Sequence, residues 1–447
     1  MEKFSVLYFV EPMMGLGSHY WAQVLAKALV KQYENVELTV LIDDLVPFSV
    51  VHDRINWIKL PVCRNQVTEH GSLNFKLIDE SGHEVDERWK QARIDCVSNA
   101  FNTIKPNVVL LHNHLSGLEW DKLIEFEYKT LVDLAHLAPW EPPVLASSMD
   151  FIDGFENQSD TEAKEYLCKV KEEVDYILVC GASLDLFMQS CPLAAQFQDK
   201  LILAGYPVDS TPLLPLAEVQ EPEVIVAAGG SELGNQLFRA AIEAFGLAQR
   251  SPNCLLGQHP WRLLVGPHLK AEMAALQAMA EAVTTATGTQ GRLIVQPTVS
   301  SAEYAARLMH HCVASVSQCG QSTFVDLERT GVPALVVPYE ANGMVQEQLY
   351  RAQFLHNSGR GVLLREQNLS ASSLLAGLEQ ALAIGPKRIG VNLTGAEFVA
   401  KFIHDLALSN QHRSSSRHSR QIDTHLRARQ PSGASQPHFT DTPYLYR

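Results

Sequence analysis

The chain has no Cys-x-x-Cys pair. Its eight cysteines, at positions 63, 96, 168, 180, 191, 254, 312 and 319, are scattered over 447 residues. That scatter argues against a disulfide framework and a cysteine zinc site, and it fits a reducing, cytoplasmic setting. Long apolar runs are missing too. The N-terminal patch MEKFSVLYFVEPMMGLG is too short for a membrane span and is broken by a glycine turn, and no later stretch reaches membrane length. There is no excess of positive charge: 36 Lys and Arg stand against 50 Asp and Glu, a net of −14, which argues against nonspecific nucleic-acid binding. Charge is sparse at 19% and hydrophobic residues reach 46%, the balance of a globular chain. The length exceeds one ordinary core, so two domains are expected.

What is present is one plan used twice. Residues 3–10 form an apolar run, then a glycine turn at Gly15 and Gly17, then helical spacing over residues 20–30, then a second apolar run at 36–42. This is a βαβ unit. Further strands are expected at 56–60, 108–111, 143–146, 176–179 and 201–204, with helices at 89–104 and 161–174. Residues 205–222 carry four prolines and end in acidic residues, which marks a linker. A second series follows, with strands at 223–228, 261–265, 293–296 and 333–338. Helices are expected at 235–248, 270–286, 301–310, 324–329, 370–384 and 396–408, with Ser370 as an N-cap. The fold class is therefore α/β: two doubly wound, Rossmann-like parallel sheets facing a cleft. The expected division is 1–207, 208–408 and a basic, Ser- and Arg-rich tail at 409–447. From Asn410 that tail carries six Arg and two Asp, a net of +4 that leaves the body near −18. It is expected to be disordered. An anionic partner or peripheral membrane contact is its functional reading, and a solvated tail the plainer one.

The stretch from 315 to 352 holds the densest chemistry. Gly320, Gln321, Ser322 and Thr323 precede a helical run, and small or hydroxyl residues at a helix start leave backbone N–H groups free to face an anion. A carboxylate one turn further in can hold a ribose diol. Gly229, Gly230 and Ser231 form a second such turn. At the N-terminal side, His19 beside Gly17 and Ser18 is a candidate base or a loop histidine packed on the other half. His112 and His114 flank one position at the end of a strand, so an extended backbone puts them on one side. Cleft lining suits them better than a metal site, because no acidic or cysteine partner accompanies them. Asp150 and Asp153 can cap the following helix or act as acid and base.

These residues resemble a known family. GLGSHYWAQVLAKAL, PNVVLLHNHLSG, SSMDFIDGFE, VIVAAGGSELGNQLFRAA and SQCGQSTFVDLERTGVPALVVPY are similar, in order, to motifs of the MurG-like glycosyltransferases, which have the two-domain GT-B fold. The resemblance covers about residues 4–405. In the last motif Gly320, Thr323 and Gly331-Val332-Pro333 fall in register with the family's Gly-Gly-x-x-Thr-x-x-Glu-x-x-x-x-Gly-x-Pro signature. Asp326, not Glu328, takes the carboxylate position. EQLYRA resembles the segment that contacts the donor sugar. Departures are Cys319 for the first glycine, Ser18 at the histidine position with His19 next to it, and Arg351 for an asparagine.

The resemblance implies an inverting transfer of a hexosyl group from a nucleotide sugar, a UDP-sugar first, to an acceptor that the sequence does not specify. It implies Gly229, Gly230, Ser231, Gly320, Gln321, Ser322 and Thr323 at the diphosphate, Asp326 at the ribose, and Glu347 and Gln348 at the sugar. It implies His19 as base, with Gly17, Ser18, His112, His114 and Asp150 about the cleft. No cofactor is implied beyond the donor, and the chemistry is expected to be metal-independent. Oligomeric state is left open. Two other readings remain: a catalytically silent nucleotide-binding subunit of the same fold, and a nucleotide-sugar epimerase or hydrolase.

Overall fold

The computed structural model describes residues 3–10, 16–43, 52–67, 73–115, 117–157, 159–219, 221–229, 234–340 and 345–415. In the first half, strands β1 (Phe4–Phe9), β2 (Val36–Asp43) and β3 (Ile55–Leu60) precede a small antiparallel hairpin of β4 (Arg64–Val67) and β5 (Leu73–Ile78). Strands β6 (Val108–Leu111), β7 (Val144–Met149), β8 (Tyr176–Cys180) and β9 (Leu201–Leu203) follow. The helices are α1 (Leu16–Gln32), α2 (Glu87–Ile104), α3 (Leu118–Leu123), α4 (Glu125–Leu137), α5 (Thr161–Glu173) and α6 (Leu184–Ser190). The second half adds β10 (Glu223–Ala227), β11 (Trp261–Val265), β12 (Leu293–Pro297), β13 (Cys312–Ser317), β14 (Ala334–Val336) and β15 (Val362–Leu363). Its helices are α7 (Asn235–Arg250), α8 (Met273–Thr287), α9 (Ser301–His310), α10 (Gln321–Thr330), α11 (Glu347–Asn357), α12 (Ala371–Ile384) and α13 (Gly395–Ser415).

Each half builds one parallel sheet. The orders are β3-β2-β1-β6-β7-β8-β9 and β12-β11-β10-β13-β14-β15. Both reverse direction beside their first strand, and the C-terminal edge at such a reversal is where open α/β sheets take ligands. The strands are apolar on both sides because helices cover both faces. Alternate residues of β1 show this: Leu7 and Phe9 join the core under α2 and α4, while Val6 and Tyr8 join the core under α1. Helix α13 crosses back to the first half, where Ala396, Val399, Phe402 and Ile403 pack with α1 and β1. The crossing is pinned at the linker, where Tyr206 N donates to Asn392 O at 2.8 Å and Gly395 N donates to Tyr206 O at 2.9 Å.

Local sequence explains most boundaries. Asp160 caps α5, and Ser370 caps α12 through a reciprocal capping box with Ser373. The sequence shows no element signal between 61 and 88 or between 112 and 142. The structure places the β4–β5 hairpin in the first stretch and α3 and α4 in the second. Helix α13 continues past Ser409 to Ser415, and the remainder of the basic tail lies outside the described residues. Among the described residues no helix is long and apolar enough to cross a membrane.

Candidate functional site

The second sheet's reversal lies between β10 and β13. From β13 the chain passes through Gln318 and Cys319 into α10, whose N-cap is Gly320 with no side-chain cap. The first amides of α10 therefore keep free donors and the positive end of the helix dipole. Gln321 donates from Nε2 to Cys180 O of the first half at 2.7 Å. Ser322 stands opposite α1, close enough that a Cβ on Gly17 would meet its Oγ at 3.8 Å. Thr323 is half-buried beside it. Gly229, with φ of +71°, needs the freedom of glycine at the end of β10. Gly230 and Ser231 lie outside the described residues.

Asp326 sits one turn into α10 and is buried. Burial pushes its carboxyl from the ordinary 3.8 up to about 7, against the pull of Arg329. Burial, and then the Asp326 charge, raise the phenols of Tyr20 on α1 and Tyr304 on α9. The unfolded carboxyl loses its proton near pH 4 and the folded one near 7, so the folded state binds more protons in between. Stability from this group accordingly falls as pH rises through that window. Asp326→Asn should therefore gain on the wild type between pH 4 and 7, by up to about 1 kcal/mol per pH unit. Urea midpoints at pH 5 and 7.5 check this, and parallel pH dependences would contradict it.

Glu347 and Gln348 open α11, and both are engaged. Glu347 pairs with Arg351 one turn on, and Gln348 Oε1 accepts from Tyr339 N at 3.0 Å. Arg351 is fully buried. Its Nη2 donates to Asp150 Oδ1 at 2.6 Å, and its Nη1 to Cys319 O at 2.7 Å. Asp150 follows β7, so this pair joins the halves. The sequence reading offered Asp150 and Asp153 as caps of the helix that follows them. Asp160 takes that role for α5. Asp153 Oδ1 instead accepts from Gln346 N at 2.8 Å and Glu347 N at 2.9 Å, at the start of α11 in the other half. Burial, and then the Glu347 charge, raise the Asp153 carboxyl to about 7 despite those two N–H groups.

On the first sheet, Gly17, Ser18 and His19 form the first turn of α1, at the reversal beside β1. Gly17 is exposed, Ser18 half-buried and His19 buried. His112 follows β6, shares a 2.9 Å hydrogen bond with Tyr8 Oη through Nδ1, and packs on Trp21. Burial, and then the His19 charge, hold it neutral, down to about 3. His114 does not share its side. Asn113 has φ of +50°, which breaks the extended backbone that the same-side placement requires. His114 turns into the opposite layer, with Tyr128 and Tyr166 around it and Glu173 Oε2 at 3.6 Å from Nε2. It lies in an interior cluster apart from His19 and His112. Among the described residues no three His, Cys, Asp or Glu side chains gather as a metal would need.

The family described as the glycosyltransferase family 28 C-terminal domain matches residues 224–401. The match takes in the second sheet and most of its helices. A stretch of 76 residues is 37% identical to the UDP-N-acetylglucosamine--N-acetylmuramyl-(pentapeptide) pyrophosphoryl-undecaprenol N-acetylglucosamine transferase of Wolinella succinogenes. It covers 17% of this chain and 22% of that protein, so the chain matches about a fifth of the curated relative's length. The crystal structure of Acinetobacter baumannii MurG superposes with a TM-score of 0.53 at 14% identity, over 90% of this chain and 99% of that one. A UDP-N-acetylglucosamine 2-epimerase from Rickettsia bellii gives 0.56 at 10% identity, over 93% and 99%. Likeness at these identities establishes the fold, which is GT-B.

The family 28 domain thus contains Gly229, Gly320 to Thr323, Asp326, Glu347 and Gln348 on one edge. The first half brings His19, His112 and Asp150 toward that edge. Two contributors escaped the sequence reading as interface groups. Arg351 was visible only as a replacement and as a partner four residues after Glu347. Tyr206, whose hydroxyl donates to Asp150 Oδ2 at 2.7 Å, follows a linker glycine and carried no signal.

Proposed function

We propose that the chain is a glycosyltransferase that moves a hexosyl group from a UDP-sugar to an acceptor with inversion. One observation carries the reading: the uncapped start of α10 and the buried carboxyl of Asp326 one turn later lie at the sheet reversal of a family 28 domain. The α10 amides from Gln321 to Thr323, with Gly229 and the start of α7, would receive the diphosphate and stabilise its departure. Asp326 would accept from the ribose hydroxyls, which favours its ionised form. Glu347 and Gln348 are the sugar contacts in this reading, and a bound sugar would have to share them with Arg351 and Tyr339 N–H. His19 would take the acceptor's proton, with neutral His112 behind it keeping the pair from carrying two charges.

Release of UDP from UDP-sugars, followed with and without a panel of hydroxyl acceptors, tests the reading. Release that requires an acceptor supports transfer. Release without one indicates an epimerase or hydrolase of the same fold, and binding without release indicates a silent subunit.

A further inference from the structure

We propose that Arg351 is a positioning residue: with Asp150 it staples the two sheets at a fixed separation, so that the cleft does not depend on a ligand to close it. The contact is built from both sides. Arg351 Nε lies 3.1 and 3.0 Å from the two Asp150 oxygens, and Nη2 makes the 2.6 Å bond described above, so the fork is engaged along its length. The remaining Nη1 donors go to Cys319 O and Glu347. Tyr206 Oη completes Asp150 from the linker. Neither charge has access to water, and each is held by several fixed partners, which is the condition under which a buried ion pair holds its geometry.

The surroundings reinforce the same joint. Asp150 reaches its place because residue 181, after β8, is a glycine. A Cβ there would stand 2.8 Å from the Asp150 Cβ. Phe151 stacks on Tyr350 at 5.8 Å between centroids, and Arg351 lies 6.0 Å over the Phe151 ring. Asp153 takes the first amides of α11, and Gln321 reaches Cys180 O. One short segment after β7 therefore grips the helix that begins with Glu347, and the start of α10 is tied at the next strand. The staple sets where α11 and α10 stand relative to His19, and through Arg351 it also engages Glu347, one of the proposed sugar contacts.

The first arm of the test is a distance measurement that needs no activity. Spin labels go on Cys168, exposed on α5, and on Leu255→Cys, exposed in the second half, with Cys96 and Cys312 replaced by serine. The full-length chain should give one narrow distance distribution that UDP leaves in place. Arg351→Ala should broaden it, Arg351→Lys should broaden it less because charge remains but the fork is lost, and Tyr206→Phe should widen it slightly in a chain that keeps both charges. A wild-type distribution that is broad, or that shortens on adding UDP, overturns the proposal, as does an Arg351→Lys distribution identical to wild type. The second arm rests on the glycosyltransferase reading. Arg351→Lys should lower kcat at least tenfold while UDP still binds one per chain with nearly unchanged Kd, a split that partial unfolding would not give. An unchanged kcat in that variant overturns the positioning role. Absence of any transfer in the wild type would contradict the reading of function, and the distance arm would still decide the staple.

Discussion

Replacing His19 with alanine is expected to lower sugar transfer about 10²- to 10⁴-fold, the usual contribution of a positioned general base, and to leave UDP affinity nearly unchanged. The separation follows from the architecture. Every candidate for holding the nucleotide lies in the family 28 domain, on α10 and at the end of β10. His19 lies across the joint, in the first turn of α1. Its neighbour His112 is neutral through burial and is tied to Tyr8, so a proton gained by His19 is not shared with a second imidazolium. Initial rates with saturating donor, set beside a UDP titration, measure both quantities. A variant that transfers at the wild-type rate would move the base elsewhere. A variant that loses UDP binding would show that the first turn of α1 belongs to the donor site, as its approach to Ser322 permits.

Glu127→Ala is expected to destabilise the first half by about 3–5 kcal/mol, because it leaves a guanidinium buried without its counter-charge. Arg93 of α2 and Glu127 of α4 are both buried, with Nε to Oε1 at 2.8 Å and Nη2 to Oε2 at 3.1 Å. Arg93 also donates to Pro61 O, so it ties α2 and α4 to the segment before the hairpin. The pair sits beside the core that holds Phe101, Tyr128 and Leu131. Replacing both partners by Met and Leu should cost far less, since nothing charged is then left behind. Urea unfolding followed by a probe in each half checks this. The early transition should belong to the first half, whose α2 and α4 core is a separate cluster from that of the second sheet, and a single shift shared equally by both halves would contradict this.

Most parallel strands were legible because each is a short apolar run closed by a glycine or polar turn, as at residues 108–111 and 223–227, whereas β15, only two residues long, was not. The hairpin was not, because Arg64–Val67 is polar and a two-stranded ribbon has little apolar signal of its own. Helix α12 was marked by its cap, and Ser370 makes the bonds such a residue makes. The positions around Asp326 followed from motif order. The joint did not follow, and the reason is distance along the chain. Asp150 and Arg351 are 201 residues apart, and Asp153 and Gln346 are 193 apart. No local pattern encodes a cap supplied by another sheet. His112 and His114 failed for a local reason: one left-handed residue between them reverses the side that an extended strand dictates.

In the proposed function the family 28 edge binds a nucleotide sugar through α10 and Asp326. Titration calorimetry with UDP-, GDP- and dTDP-sugars, on the wild type and on Asp326→Ala, tests it most directly. The account predicts one site per chain for a UDP-sugar, weakened about 10- to 100-fold in Asp326→Ala, the loss of a hydrogen bond to a charged group. No heat with any of the three donors and a folded protein, or equal affinity in the two chains, would contradict it.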